Sequence, residues 1–487
     1  MDKKLNTAPF IKVQGLIENI RSGVATALQV SIDIRDGIPT LELEKAGEAM
    51  IVFVRCQNKL LVEVDLSTGQ SLTIELPDLP PGQQVIRLAC RIGQEHPIEA
   101  VTHLIYLRVG EIAPFIHRKM DDPVIDAVGN LLQKWELPGA VLASGTEGGE
   151  IETQALGWCD AAAGLEMSAH HRFRAASLGK VITTASIYQL LEQGKLSLDL
   201  SVSDALDMAA RHRDIFDGVR ISHLLRMSCG VRVDSAVGAP SPLDPLDMSE
   251  RPKLHQKTSE GWLNSVLDTA TRHFDPGDKF DYHTDNYWLL GRIIERYSGQ
   301  SYADYVIQNV FDPLGLTDIR MATTLPDGRH HDEVIYHEGD CPPEPPQSAM
   351  GAKGMVPAPY QRVMPIRDAM GGWLVTAEEM VKLNQHLLDL TPALISTGSL
   401  ESMLARKGAA PMPTEWYYGD GLFVQNPVGQ GLPPHLTWWH FGLVPGCSGL
   451  LARIKGHHIA LLVNGAPVKQ NIFLASLWRV ILKAVGK

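Results

Sequence analysis

No apolar run in this chain of 487 residues reaches the ~18 residues that crossing a bilayer requires. Positive charge is also in short supply. Lys and Arg number 44 against 56 Asp and Glu, giving a formal net charge of −12. That balance argues against a nucleic-acid or anionic-membrane partner, since either would attract a basic surface. The first residues, MDKKLNTAPFIKVQG, carry Lys3 and Lys4 with no apolar stretch behind them, so no signal peptide is read there. Cysteines are few and scattered: Cys56, Cys90, Cys159, Cys229, Cys341 and Cys447, with no C-x-x-C pair. In a chain of this length the pattern predicts reduced, buried thiols in a cytoplasmic protein, not a disulfide framework.

What is present reads as a globular protein, with 44% hydrophobic and 21% charged residues. Residues 1–112 differ from the rest. Runs such as SIDIR, AMIVFVRC, LLVEVDL, SLTIEL, QVIRLAC and THLIYLRV are split by turn chemistry in RDGIP, STGQ and LPDLPPGQ. They predict a small all-β domain, a sandwich, with no cluster of polar residues that could do chemistry. The join at 109–123 holds apolar Ile112, Phe115 and Ile116, which predicts docking onto the following body and not a free polar linker. Residues 113–487 open with an amphipathic helix and a hairpin, and close with the strands SGLLARI and HIALLVNG and the helix NIFLASLWRVILKAV. Strands at both ends with helices between predict an α+β domain, an antiparallel sheet covered by helices. Two long irregular stretches, 232–258 and 322–368, are of a length usually found over a functional site or in disorder.

Three islands stand out. FRAASLGK places Ser177 and Lys180 three apart at the start of a helical pattern in which Val181, Ala185, Leu190 and Leu191 fall near 3.6 spacing. On a helix these two lie one above the other, and a depressed lysine could take the serine's proton. On spacing alone the pair also fits an exposed lysine on a capped helix, the commoner case. FDYHTDNYWLLG places Tyr282 just before a helix, as a base or as a buried, hydrogen-bonded core residue. HFGLVPGCSG places His440 and Gly442 at a strand edge, where a glycine would let a ligand approach the backbone or a histidine sit satisfied under a turn. The G-x-S-x-G elbow is missing, since GCSGL at 446–450 lacks its second glycine. His330, His331, Asp332 and His337 lie in one loop without metal-site spacing, so no metal and no cofactor is expected. Trp438 and Trp439 are expected to pack beside the strand.

Together the three islands resemble the serine β-lactamases of class C type, the penicillin-binding proteins and their esterase relatives. FRAASLGK is similar to the family's F-R-x-x-S-x-x-K block, FDYHTDNYWLLG to its Tyr-x-Asn block, and HFG to its third block, which is Lys-Thr-Gly in lactamases and His-x-Gly in many esterases. The resemblance spans about 115–487, through LPGA, GKLSLDLSV, HLLRMSCGV, FDPLGL, AMGGWLVTAEEM and YGDGLFV. It implies a β-lactamase/transpeptidase-like domain, an antiparallel sheet flanked by helices plus a helical subdomain. It also implies an acyl-enzyme on Ser177, with Lys180 as proton partner, Tyr282 as second general base or acid, and an oxyanion hole from the N–H groups of Ser177 and Leu443. Thr284, His440 and Gly442 would line the substrate. Thr284 stands where lactamases have Asn, and His440 where they have the lysine that fixes the β-lactam carboxylate. Both departures favour an ester or amide of a small molecule or peptide over a β-lactam. A cytoplasmic acyltransferase or cyclase using the same acyl-enzyme is the alternative, and a non-catalytic binding module is a third reading. A homo-oligomer through the N-terminal domain is a further expectation.

Overall fold

The computed structural model describes residues 15–16, 27–35, 38–46, 50–56, 59–65, 71–76, 82–92, 100–109, 115–116, 119–235, 263–323, 329–337, 358–360, 364–388, 394–406, 416–425, 437–444, 446–467 and 470–485. Much of the two irregular stretches, and Ile112 of the join, lie outside these residues.

Among the described residues, eight N-terminal strands form two antiparallel sheets of four. One runs in the order Gly15–Leu16, Ala27–Arg35, Ile38–Ala46, Ser71–Glu75, and the other Lys59–Asp65, Met50–Cys56, Gly82–Ile92, Ala100–Val109. Leu41 and Leu43, Val52 and Val54, Ile86 and Leu88 are buried two apart on their strands, with Thr40 and Phe53 buried between or beside them. Ile38–Ala46 (IPTLELEKA) is a strand that the runs picked out above pass over, although its L-E-L-E alternation has the period of a strand.

The body is built on one antiparallel sheet of eight strands. Their order is Leu165–Glu166, Ile151–Asp160, Gly139–Thr146, His457–Val463, Cys447–Ile454, Trp438–Val444, Phe423–Gln425 and Trp416–Tyr418. The chain's first and last long helices, Pro123–Lys134 and Gln470–Val485, cover one face. Ile125, Val128, Leu131 and Leu132 of the first share a core there with Phe473, Leu477 and Ile481 of the last. Asp122 caps the first of these helices, accepting from the N–H groups of Val124 and Ile125 at 2.7 and 2.9 Å. Phe115 packs against the same cluster, while Ile116 is 72% exposed. Helix Ala377–Leu388 lies on the other face of the sheet, with a larger helical layer beyond it.

The helix after Ser177, Gly179–Glu192, is buried on every side from Gly179 to Tyr188, so its surroundings are core all round and not the one-sided stripe its spacing implies. Its polar residues are hidden locally. Thr184 and Ser186 donate back to the carbonyls of Lys180 and Ile182, each at 3.0 Å, which makes them compatible with an apolar setting.

Candidate active site

Strand Phe173–Arg174 leads into a single 3₁₀ turn, Ala176–Leu178, and then the buried helix, so Ser177 sits at the junction. Ala176 has φ 48°, a left-handed conformation that few non-glycine residues adopt, immediately before the serine. Two glycines let other segments close on this turn. A Cβ on Gly371, at φ 138°, would lie 1.7 Å from the carbonyl oxygen of Ala176. A Cβ on Gly442 would lie 2.5 Å from that of Ala175 and 2.9 Å from Leu178 Cγ. The missing side chain at Gly442 therefore lets strand Trp438–Val444 pack on the serine turn, a reason for glycine that needs no ligand. Leu443 is the next residue of that strand and pairs with Ser448.

Lys180 is 0% exposed, and its Nζ donates to Ser177 Oγ at 3.0 Å and to the carbonyl of Met370 at 2.9 Å. Burial chiefly, and then the Arg367 guanidinium, hold the ammonium down to about 7, against the pull of Asp285. Close to neutrality much of this lysine is thus a free amine beside a hydroxyl. Tyr282 hydrogen-bonds Ser177, and Lys180 Nζ lies 5.5 Å from its ring centroid. The residue is 37% exposed, yet burial around the hydroxyl raises its pKa above the ordinary tyrosine value despite the bond to Ser177. The group is a phenol at neutral pH. Its segment is held by Asp281, which takes Arg232 in a two-pronged ion pair at 2.8–3.0 Å.

His440 is 1% exposed, with Nδ1 2.7 Å from its neighbour's carbonyl (Phe441) and Nε2 3.3 Å from Tyr418 Oη. Burial, with Lys180 adding to it, pushes the ring down to about 3, so His440 is neutral and supplies no cation. Its two nitrogens are both engaged by protein, and its ring faces that of Tyr282 at 6.2 Å. Thr284 is half-buried at the entry of helix Asp285–Ser298, and its side chain does not cap that helix.

Several participants were not singled out in the sequence, although Tyr287 and Tyr418 lie in segments that carry the resemblance. Tyr287 hydrogen-bonds Thr184, the carbonyl of Leu225 and Tyr418, with its ring 5.5 Å from Lys180 Nζ. Tyr418 of YGDGLFV joins Tyr287 to His440. The carbonyl of Met370 could come from any residue type, so nothing in the sequence announces it. Of the two tryptophans, Trp438 is buried against Arg453 and Trp439 stacks on Trp478 of the last helix at 4.4 Å. In the histidine-rich loop, Asp332 pairs with Arg172 and the N–H of His337 donates to the carbonyl of Asn464.

The α+β fold, with a serine and a buried amine joined at the start of its central helix, defines a serine hydrolase. The family described as Beta-lactamase matches residues 124–480, and the chain belongs to that family. It is 28% identical over 363 residues to Esterase EstB of Burkholderia gladioli, covering 70% of this chain and 90% of the esterase. It is 27% identical over 362 residues to Penicillin-binding protein 4 of Amycolatopsis lactamdurans, covering 71% of this chain and 85% of that protein. The fold is also that of a D-amino acid amidase from Ochrobactrum anthropi SV3, with a TM-score of 0.57, 18% identity, and 75% and 99% of the two chains covered.

Proposed function

We propose that this serine hydrolase acts on an ester or amide of a small molecule or peptide through an acyl-enzyme on Ser177. The observation that carries the reading is the buried amine of Lys180, 3.0 Å from Ser177 Oγ with its pKa held near 7. In its neutral form the amine accepts the hydroxyl proton as Oγ bonds to the carbonyl carbon. The carbonyl oxygen takes up negative charge between the N–H groups of Ser177 and Leu443. Tyr282, a phenol between solvent and Ser177, donates its proton to the departing alcohol or amine and recovers one from Lys180. Water then attacks the acyl carbon, the same groups take its proton, and Ser177 is released. A neutral His440 supports esters and amides without a carboxylate beside the scissile bond, in place of β-lactams. Relatives named as esterase and amidase agree with this choice.

A cytoplasmic setting belongs to the same proposal and rests on the free, buried thiols of Cys56, Cys159, Cys229 and Cys447. Among the described residues no helix is long and apolar enough to cross a membrane. Residues 1–112, ahead of the family match, are proposed to form a separate all-β domain that serves packing or self-association, with catalysis in 113–487.

The test is covalent labelling. Intact-mass measurement after a fluorophosphonate should show one adduct, mapped to Ser177. Labelling or p-nitrophenyl ester turnover that survives in Ser177→Ala would refute the assignment.

A further inference from the structure

Tyr418 is the hub of an aromatic cluster at the edge of the sheet. Its ring lies 5.4 Å from Phe280, 4.8 Å from Phe423, 6.1 Å from Tyr282 and 6.1 Å from His440, the Phe423, Tyr282 and His440 contacts being edge-on. Phe280 and Phe423 also meet each other edge-on at 6.5 Å. Tyr418 and His440 are buried, whereas Phe280 and Phe423 are partly buried and Tyr282 is exposed. These last three rings are thus arranged around one buried centre, and one of them belongs to the tyrosine that hydrogen-bonds the nucleophile.

Phe423, Phe280 and the buried Tyr418 are each held in place. Phe423 pairs with Trp439 across the sheet and stacks on it at 5.7 Å, and Trp439 in turn stacks on Trp478. Phe280 adjoins Asp281, whose two-pronged bond to Arg232 fixes the segment. Tyr418 is held by hydrogen bonds to Tyr287 and His440. Rings held this rigidly lose little freedom when a ligand lands on them, which favours contact with a flat apolar group. The cluster carries no formal charge near neutral pH, since its only basic member, His440, is neutral.

From this arrangement we infer that Phe280, Tyr282 and Phe423 form a subsite for an aromatic ring on the acyl or alcohol part of the substrate. This rests on the serine-hydrolase reading and adds the substrate class to it. The ring would lie against Phe280 and Phe423 while its carbonyl reaches Ser177 beside Tyr282. The contact is flat and apolar, so puckered cyclohexyl groups would be accepted less well and charged groups poorly.

The experiment uses the full chain and two matched pairs of esters: ethyl phenylacetate against ethyl acetate, and benzyl acetate against ethyl acetate. At least one pair should favour the ring by about tenfold or more in kcat/KM. Phe280→Ala, and Phe280→Leu as a variant that keeps apolar volume, should bring that ratio close to one. A ratio near one in the wild type, or a preference that survives both substitutions, overturns the subsite. Binding to Ser177→Ala, followed by NMR titration, separates this from the chemistry. Phenylacetamide should bind at least about tenfold more tightly than acetamide even if no ester is turned over, and equal binding also overturns the subsite.

Discussion

Burial holds Lys180 down to about 7, Arg367 pushes the same way, and Asp285 pulls back. If the free amine is the base, kcat/KM should rise with pH through about 7 and level above it. Arg367→Gln removes a like charge, so the ammonium holds its proton longer and the acid limb should move to higher pH. Asp285→Asn removes an attraction and should move the limb to lower pH. A limb that stays put in both variants would mean that another group sets it. The same burial carries a stability cost. The pKa is lowered from 10.5 to about 7, so between those values the unfolded chain holds a proton that the folded chain lacks. Stability therefore falls as pH drops from 10.5 towards 7 and stays level below. Lys180→Met escapes this penalty, which is worth roughly a few kcal/mol. It should lose activity by about 10²–10⁴-fold while raising the melting temperature, and the rise should be larger at pH 7 than at pH 10. An equal rise at both values would show that the folded protein keeps the proton.

At the scale of elements, the serine turn is fixed by contacts from far along the chain. Arg174, buried on the strand before it, gives Nε to Glu333 at 3.1 Å, one amino group to the carbonyl of Pro359 at 2.7 Å and the other to that of Thr323 at 2.6 Å, and stacks on Tyr360 at 4.3 Å. One planar fork thus ties three separate stretches to the nucleophile's strand. Arg174→Lys keeps the charge and loses the fork, so it should cost roughly 2–4 kcal/mol in urea unfolding and lower kcat more than it raises KM. Strand Trp438–Val444 approaches through Gly442, and Gly442→Ala should push it off the Ala175 carbonyl. We expect about a 10²-fold loss in kcat from a shift near 1 Å, read by steady-state kinetics against an unfolding curve that moves by roughly 1–3 kcal/mol. A variant with unchanged kcat would mean that the strand takes no part in holding the oxyanion. Ser177, Lys180 and Tyr282, which the structure brings together, were legible as candidates because residue type and spacing single them out. The hairpin was legible from its Gly-rich turn, and the closing strand pair from two short apolar runs that are buried along nearly their whole length. Met370 gives a carbonyl 190 positions from Lys180, and that gift leaves no trace in residue type. The serine helix misled in a different way, since apolar spacing cannot report that Thr183, Thr184 and Ser186 are also buried.

For the whole molecule, the family match begins only at residue 124 and leaves residues 1–112 outside it. The body has its own cores on both faces of the eight-stranded sheet, and none of the contacts to Ser177, Lys180 and Tyr282 described above comes from the N-terminal strands. Phe115 packs on the body where a Cβ on Gly157 would come within 2.8 Å of its ring, so the join is held even if the domain ahead of it is removed. Deleting residues 1–110 keeps Phe115 and should leave a folded body in which Ser177 still labels with fluorophosphonate. The effect should fall on assembly and surface. Any self-association through the N-terminal strands is lost with them, so the truncated protein should change oligomeric state or lose solubility, as read by light scattering on a sizing column. Turnover of a small ethyl ester per labelled serine should stay within about threefold, because proximity of Ser177, Lys180 and Tyr282 does not depend on the missing strands. A truncated protein that labels but turns over the ester at least about tenfold more slowly would place part of the N-terminal domain at the active-site rim. An unchanged oligomeric state with unchanged solubility and kinetics would remove both proposed roles, packing and self-association.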